Sequence, residues 1–454
     1  MPLNIIESNL TMHLSSLDIT NIRLFGENTQ HISFSPEKNV AVVLGNNGCG
    51  KSTILDTIAI LASSFISVFP NAPKDKSFSD LDIHVDEQGK LAAYLSAEAE
   101  FVSADKQTTF GVRRFRKGLE KSPNPKVAEL KSFAEGLLEK VKQGDKDVEL
   151  PVLAYYGTGR GQIQAPERKR GFQRQYERWD CYKDTLDPAT NFKRFFAWFD
   201  SMEDEERRMK EQLRDFDYKM PVLEAVRAAI NQFVGDRYKK PRIEIHPLRF
   251  ALDEIGEHQE KLRELRLEQF SDGYKIIIAM IADIASRMAE ANPYSSNPLD
   301  GHGIVMIDEI DLHLHPKWQR IVLRQLHNTF RNIQFIVTTH SPVVVIGAMD
   351  ICQIVLLDGQ HIYQPPMEAY SGYDVNLLLL SELFGLSSIR SSQWDSILEE
   401  RKQLLLKPEL SNEEKQRLKE LEQQISGLSF GSTLEENALF QKLQAIVNSF
   451  QQQP

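Results

Sequence analysis

Only three cysteines occur in the 454 residues, Cys49, Cys181 and Cys352. They lie too far apart for a metal knuckle and are too few for a disulfide framework, so a reducing cytoplasm is the expected location. Long apolar runs are equally scarce. No stretch has the length needed to span a bilayer, so no membrane attachment is expected. The opening MPLNIIESNLTMHLSS has neither a basic n-region nor a continuous apolar core, and so does not read as a signal peptide. Basic charge is also short: 54 Lys and Arg stand against 64 Asp and Glu, a formal net charge of −10. That excludes a protein coated in positive surface, and any nucleic-acid contact must come from a local patch. Internal repeats are missing, and so is any HNH, PD-(D/E)xK or TOPRIM nuclease pattern.

What is present is an ordinary globular composition, 41% hydrophobic and 26% charged, with length for two or three domains. Within it lies a split phosphate-binding site. The first half is GNNGCGKST, comprising Gly45, Asn46, Asn47, Gly48, Cys49, Gly50, Lys51, Ser52 and Thr53. It fits G-x-x-x-x-G-K-[ST] and follows the apolar run Val40–Leu44, which reads as a buried strand. Apolar residues at helical spacing follow from Ile54 to Phe69. In that context the glycines let backbone amides converge on phosphate oxygens, and the helix start adds a favourable dipole. Lys51 would reach the β- and γ-phosphates of ATP, and the Ser52 hydroxyl would ligate Mg2+. Cys49 reads as a spectator.

The second half is IVMIDEIDLHLHP, Ile304–Pro316. Asp308 ends an apolar strand, where its carboxylate can hold magnesium beside the loop. Glu309 is the candidate base for the attacking water. Taken alone, surface acids at a strand end would explain the pair as well. His340, in TTHSP after another apolar strand, is a structural histidine unless the phosphate site claims it. Ser271, in FSDGYK before a strongly apolar helix, reads by itself as a helix cap. His313 and His315 have i, i+2 spacing rather than the i, i+4 of a zinc helix, so no metal is assigned to them.

The remaining elements are coarser. Strands are expected around Leu17–Leu24, His31–Phe34, Leu81–Val85, Leu91–Val102, Thr108–Phe115 and Leu150–Tyr156, with a helix around Val127–Val141. Two or more helices are expected near Asp187–Asp236, with the charged segment 201–212 a solvated stretch between them. PRIEIHP is a strand, Pro316–Arg331 one helix with proline at its first position, and IQFIVT and CQIVLLD further strands. Ser411 and Glu414 fit a capping box. Two basic stretches, Arg113–Lys117 and Glu167–Trp179, mix cations with aromatic rings and could touch DNA, although a solvated basic face explains them equally.

In order, the phosphate loop, Ser-x-Gly turn, double acid, Asp311 and histidine resemble the ABC-type ATPase heads of the SMC and OLD-like group. YYGTGR (Tyr155–Arg160), TTHSP and GYDVNLLL (Gly372–Leu379) narrow that resemblance to bacterial AAA-family ATPases such as PtuA of the Septu anti-phage systems. It implies an α/β fold: a P-loop sheet with helices on both faces, an N-terminal antiparallel β part, an inserted lid and a C-terminal helical region. The expected boundaries are 1–69, 70–240, 241–365 and 366–454. The resemblance makes Phe270–Lys275 the signature turn, with Ser271 and Gly273 contacting the γ-phosphate held by a second copy. Asp311 would be the D-loop, His340 the switch histidine, and Gln162 or Gln164 the glutamine loop. Asp272 and Tyr274, where transporter domains usually have glycine and glutamine, argue against a transporter subunit. The implied partners are a second copy of the chain, a separate HNH-type nuclease resembling PtuB, and DNA. A nucleotide-gated scaffold with negligible turnover and a DNA-repair head remain as alternatives.

Overall fold

The computed structural model describes residues 12–103, 106–116, 128–161, 176–188, 192–245, 248–407 and 410–425. In chain order the first half contributes β1 (His13–Thr20), β2 (Gln30–Ser33), β3 (Val40–Gly45), α1 (Lys51–Ile66), β4 (Tyr94–Ser103), β5 (Lys106–Phe115), α2 (Ala128–Lys142), β6 (Val152–Tyr156), α3 (Lys193–Leu213) and α4 (Pro221–Val234). The second half begins with β7 (Tyr238–Ile245), β8 (Leu248–Ile255), β9 (Lys261–Arg266), α5 (Asp272–Ala291), β10 (Gly303–Ile307), α6 (Pro316–Gln319) and α7 (Val322–Thr329). It continues through β11 (Ile333–Thr338), α8 (Pro342–Ala348), β12 (Cys352–Asp358) and β13 (His361–Tyr363). The chain divides into two compact units at Ala369/Tyr370.

The first unit is built on a six-stranded sheet of order β13-β12-β3-β11-β10-β6. Every pair in it is parallel except the β12–β13 hairpin. Continuous apolar sequence dictates this: all residues of β6, β10 and β11 are buried, as a strand covered on both faces requires. Parallel strands leave their carboxyl ends on one edge, so the residues that follow β3, β10 and β11 meet there. Helix α5 is apolar nearly all round and buried along most of its length, as expected of an interior helix.

Beside it lies an antiparallel sheet of order β2-β1-β4-β5. Side chains tie it to the parallel sheet: Gln353 of β12 donates to the Ser33 carbonyl at 2.9 Å, and Gln334 of β11 accepts from the Leu14 amide and donates to the Leu14 carbonyl, at 2.9 Å each. The same amide nitrogen approaches His13 Nε2 at 3.4 Å, where a neutral ring accepts. Burial pushes His13 below the usual histidine pKa, and burial does the same for His327 and His340. The unfolded chain therefore binds more protons below about pH 6.5, and stability present above that value drops as pH falls through the lowered folded pKa values. Each group contributes a slope of at most about 1.4 kcal/mol per pH unit. Urea midpoints measured from pH 7.5 to 5 should fall, and His13→Gln should flatten the slope. Coincident curves for the two proteins would remove His13 from the account.

Several expectations change. The segment 201–212 is not a link between helices but the second half of α3. Its Glu203 and Glu206 point inward onto Arg227 of α4, at 3.0 Å each. Residues 316–331 form two helices rather than one, broken after Gln319, with Pro316 still in the first turn. Gly347 of α8 explains part of the break, since a Cβ there would lie 1.8 Å from the Arg320 carbonyl oxygen. Leu81–Val85 is a 3-10 turn and isolated bridges, not a strand. The sheet β7-β8-β9 holds two strands that were not anticipated. Within residues 70–240, β4 and β5 extend the antiparallel sheet and β6 edges the parallel one.

The second unit contains α9 (Val375–Leu380), α10 (Ser392–Leu405) and α11 (Asn412–Ile425). Ser411 and Glu414 make the expected capping box, at 2.9 and 3.2 Å. Helices α10 and α11 bury Leu404 and Leu421 and join through Arg417 and Glu400 at 2.8 Å. Among the described residues no helix is long and apolar enough to cross a membrane.

Candidate functional site

The loop after β3 turns into α1 through Gly48 at φ 79° and Gly50 at φ 100°, conformations that favour glycine. At Gly50 a second reason applies: a Cβ would sit 3.0 Å from the Phe25 ring. Gly50 occupies the N-cap, so the first amides of α1 open toward the loop. Lys51 is buried, and its Nζ donates to the carbonyls of Gly45 and Asn46 at 2.9 Å each. Burial lowers its pKa, opposed by charges that include Asp308, Glu309 and Asp311. Asn46, Asn47 and Gly48 are exposed at the loop tip, Cys49 is half-buried, and Thr53 is buried within α1.

Ser52, at the surface end of the same turn, donates to Asp308 Oδ2 at 2.8 Å. That one bond joins the two halves of the site across 256 residues. Thr338, the last residue of β11, completes the arrangement. Its hydroxyl donates to Asp308 Oδ1 at 2.6 Å and accepts from the Glu309 amide at 2.7 Å. Asp308 still follows the sheet, its amide donating to the Tyr156 carbonyl at 2.8 Å. Glu309 does not: its φ of 49° is left-handed, rare for a non-glycine residue. The two acids are thus separated by a backbone turn.

Beyond them, Asp311 Oδ1 accepts from Thr339 Oγ1, and the Ser341 amide donates to the same hydroxyl at 3.0 Å. Ser341 caps α8 through Val343 and Val344. His340 is therefore held between two anchored neighbours. Burial, then the Lys51 charge, push its pKa below the usual value, so it is neutral at neutral pH and can accept a hydrogen bond.

Gly273 lies in the first turn of α5, and a Cβ there would meet the His313 carbonyl oxygen at 2.2 Å. The Ser-x-Gly turn thus packs against the loop that follows the double acid. Ser271 takes the N-cap position, but its hydroxyl makes no cap bond, contrary to the simple capping reading. It remains exposed. His315 accepts from the Lys317 amide at 3.3 Å as an N-cap, and His313 is exposed.

Two features escaped the sequence. Arg23 binds Asp56 of α1 at 2.6 Å and Asp82 at 2.9 Å, while Tyr155 Oη donates to Asp56 at 3.0 Å, so the phosphate helix is fixed from both sides. Arg160 is buried against the double acid; its place in YYGTGR was noted, its contacts could not be. Gln162 and Gln164 lie outside the described residues, as do residues 167–175 of the basic stretch. Of the described remainder, Arg178 is not available to a ligand: it donates to the carbonyls of Ala291 at 2.8 Å and Asp145 at 3.0 Å. In the other stretch Arg114 pairs with Asp80 at 2.9 Å and Arg113 lies over the Tyr94 ring.

Loop amides, an ammonium, a hydroxyl and a carboxylate at one sheet edge can hold a nucleotide phosphate, and hard oxygen donors suit magnesium. The chain is 28% identical to "Retron Vc95 probable ATPase" of Vibrio cholerae over 353 residues, 68% of this chain and 67% of that one. Identity is also 28% to "Retron Ec83 probable ATPase" of Escherichia coli, covering 85% and 79% respectively. "Septu protein PtuA" of Bacillus mycoides is 35% identical over 181 residues, which is 39% of this chain and 25% of that protein. The Smc head domain from Pyrococcus furiosus superimposes with a TM-score of 0.47 and 15% identity, over 80% of this chain and 98% of that chain. The family described as "AAA domain, putative AbiEii toxin, Type IV TA system" matches residues 40–346, from β3 into α8. That span is more than half of the chain and encloses both halves of the site, so the chain belongs to this AAA-domain family of ATPases.

Proposed function

We propose that this ATPase works as an ABC-type head: two copies pair through ATP, and the pair regulates a separate nuclease in anti-phage defence. The observation that carries the nucleotide reading is the Ser52–Asp308 bond, which brings the phosphate loop and the first acid to one point. Lys51 binds the β- and γ-phosphates, exchanging its loop carbonyls for phosphate oxygens. Ser52 and Asp308 hold magnesium, which when bound neutralises phosphate charge. Glu309 accepts the proton of the attacking water, which adds to the γ-phosphorus as the bond to the ADP oxygen breaks, giving ADP and phosphate. Neutral His340 accepts a hydrogen bond near the same phosphate.

The free Ser271 hydroxyl, exposed at the N-cap of α5, supports a role in trans toward ATP held by a second copy. The names of the relatives, Septu and retron ATPases, support placement in a defence system with an HNH-type nuclease partner similar to PtuB. The helices after residue 370, which fall in a compact unit of their own, serve as the partner-binding or assembly part.

Phosphate release measured for wild type and Glu309→Gln over a range of chain concentrations tests the proposal. Activity per chain should rise with concentration, and Glu309→Gln should lose about 10²-fold or more in kcat. Equal rates would remove Glu309 from the chemistry. Specific activity independent of concentration would remove the pairing, and negligible turnover at every concentration would leave a nucleotide-gated scaffold.

A further inference from the structure

Arg160 is an arginine in an unusual setting. It is 1% exposed, and its guanidinium is spent on main-chain carbonyls. Nη1 donates to Gly157 O at 2.9 Å and also to Asp308 O, and Nη2 donates to Glu309 O at 2.6 Å. Burial lowers its pKa, and the charges of Asp308, Glu309 and Asp311 oppose that shift. A buried cation costs several kcal/mol unless its surroundings repay it, so its orientation toward these particular carbonyls calls for a reason.

The reason lies in Glu309. Its left-handed φ of 49° is a strained backbone conformation that persists only where neighbours over-determine it. Both peptide groups of Glu309 are pinned. Its amide donates to Thr338 Oγ1 at 2.7 Å, and its carbonyl accepts from Arg160 and from the Leu312 amide at 2.9 Å. The preceding carbonyl, of Asp308, is taken by the other arm of the same guanidinium. Thr338 holds one side of the turn and Arg160 the other, so the direction in which the Glu309 carboxylate leaves the backbone is fixed by the two together.

We infer that Arg160 is a positioning residue for Glu309: its fork grips consecutive carbonyls of the double acid and holds the strained turn that aims the Glu309 carboxylate. The inference rests on the proposed role of Glu309 in hydrolysis. A lysine carries the charge but not the planar fork, and its single nitrogen does not reproduce the separate reach of Nη1 to Gly157 and Asp308 and of Nη2 to Glu309. Misplacing a catalytic group by about 1 Å can cost about 10²-fold in rate without changing ground-state binding.

The test uses the full-length chain in four forms: wild type, Arg160→Lys, Glu309→Gln and the double variant. Melting curves and binding of a fluorescent ATP analogue establish fold and affinity, and steady-state phosphate release gives kcat and KM. Arg160→Lys should lose about 10–100-fold in kcat with KM for ATP near wild type. The double variant should be no slower than Glu309→Gln, because Arg160 acts through a group already disabled. Multiplicative losses in the double variant, or an unchanged kcat in Arg160→Lys, would overturn the inference. So would loss of folded protein in Arg160→Lys, which would make the residue part of the core alone. If Glu309→Gln itself matches wild type, the reading of Glu309 fails instead, and the two failures are told apart by that control.

Discussion

Replacing Lys51 with methionine should reduce ATP turnover by roughly two to four orders of magnitude. A hydrogen bond from a charged donor is worth about 1.5–3 kcal/mol, and the proposed role of Lys51 gives it one to each of two phosphates. Losing both removes about 3–6 kcal/mol, or about 10²–10⁴-fold. The variant should still fold, because methionine keeps the buried stem and the freed carbonyls of Gly45 and Asn46 lie at a partly open loop that water reaches. The readout that separates this from a general defect is thermal stability with and without Mg-ATP. Wild type at a hundredfold excess over Kd gains about 2.7 kcal/mol; Lys51→Met should show little of that gain. A full nucleotide-induced shift in the variant would refute the phosphate role of Lys51.

The second large effect belongs to the interior. Arg287 of α5 is 1% exposed and donates from Nε to Asp283 Oδ2 at 2.8 Å, and from Nη1 to the carbonyls of Cys181 and Lys183. Tyr156 Oη, on β6, donates to the same Asp283 oxygen at 2.8 Å. Arg287→Met leaves Asp283 with only Arg194, at 3.8 Å, as a counter-charge in a buried site, and breaking a buried pair in this way typically costs about 3–5 kcal/mol, a large share of the stability of many domains. Urea unfolding followed by circular dichroism should show a clear fall in midpoint. Asp283→Leu combined with Arg287→Met should recover much of the loss, since replacing both ions with apolar groups is often neutral. A single variant that loses less than about 1 kcal/mol would mean the pair is better hydrated than its burial implies.

How much of this could be read from the sequence depended on whether the signal was local. The phosphate loop, β3 and the start of α1 lie within about thirty residues, and glycine spacing with an apolar strand is enough to define them. Asp308 and Glu309 were legible because they end an apolar run, but their mutual geometry was not. It depends on Thr338 from another strand and on a backbone torsion that side-chain identity does not announce. Arg160 was legible only as part of a pattern, because an arginine bonded to main-chain carbonyls leaves no partner residue to recognise.

The misreadings share a cause. Charge usually marks an exposed face, so Glu203 and Glu206 read as solvated; across the fold Arg227 draws them inward. Strands β8 and β9 escaped because LRFALDEI and KLRELR carry charges that find partners only across the sheet, Arg263 with Glu254 at 2.6 Å among them. The break after Gln319 depends on the approach of α8 through Gly347, a tertiary contact that a helical pattern cannot foresee.

One contact carries a mechanical consequence. The hydrogen of Gly273 touches the main chain at His313, so the leading turn of the long interior helix and the loop beyond the acids have no side chain between them to absorb a shift. A displacement of either by the width of a methyl group is passed directly to the other. A shift at the exposed Ser271 therefore bears on the loop at His313 through a main-chain contact alone.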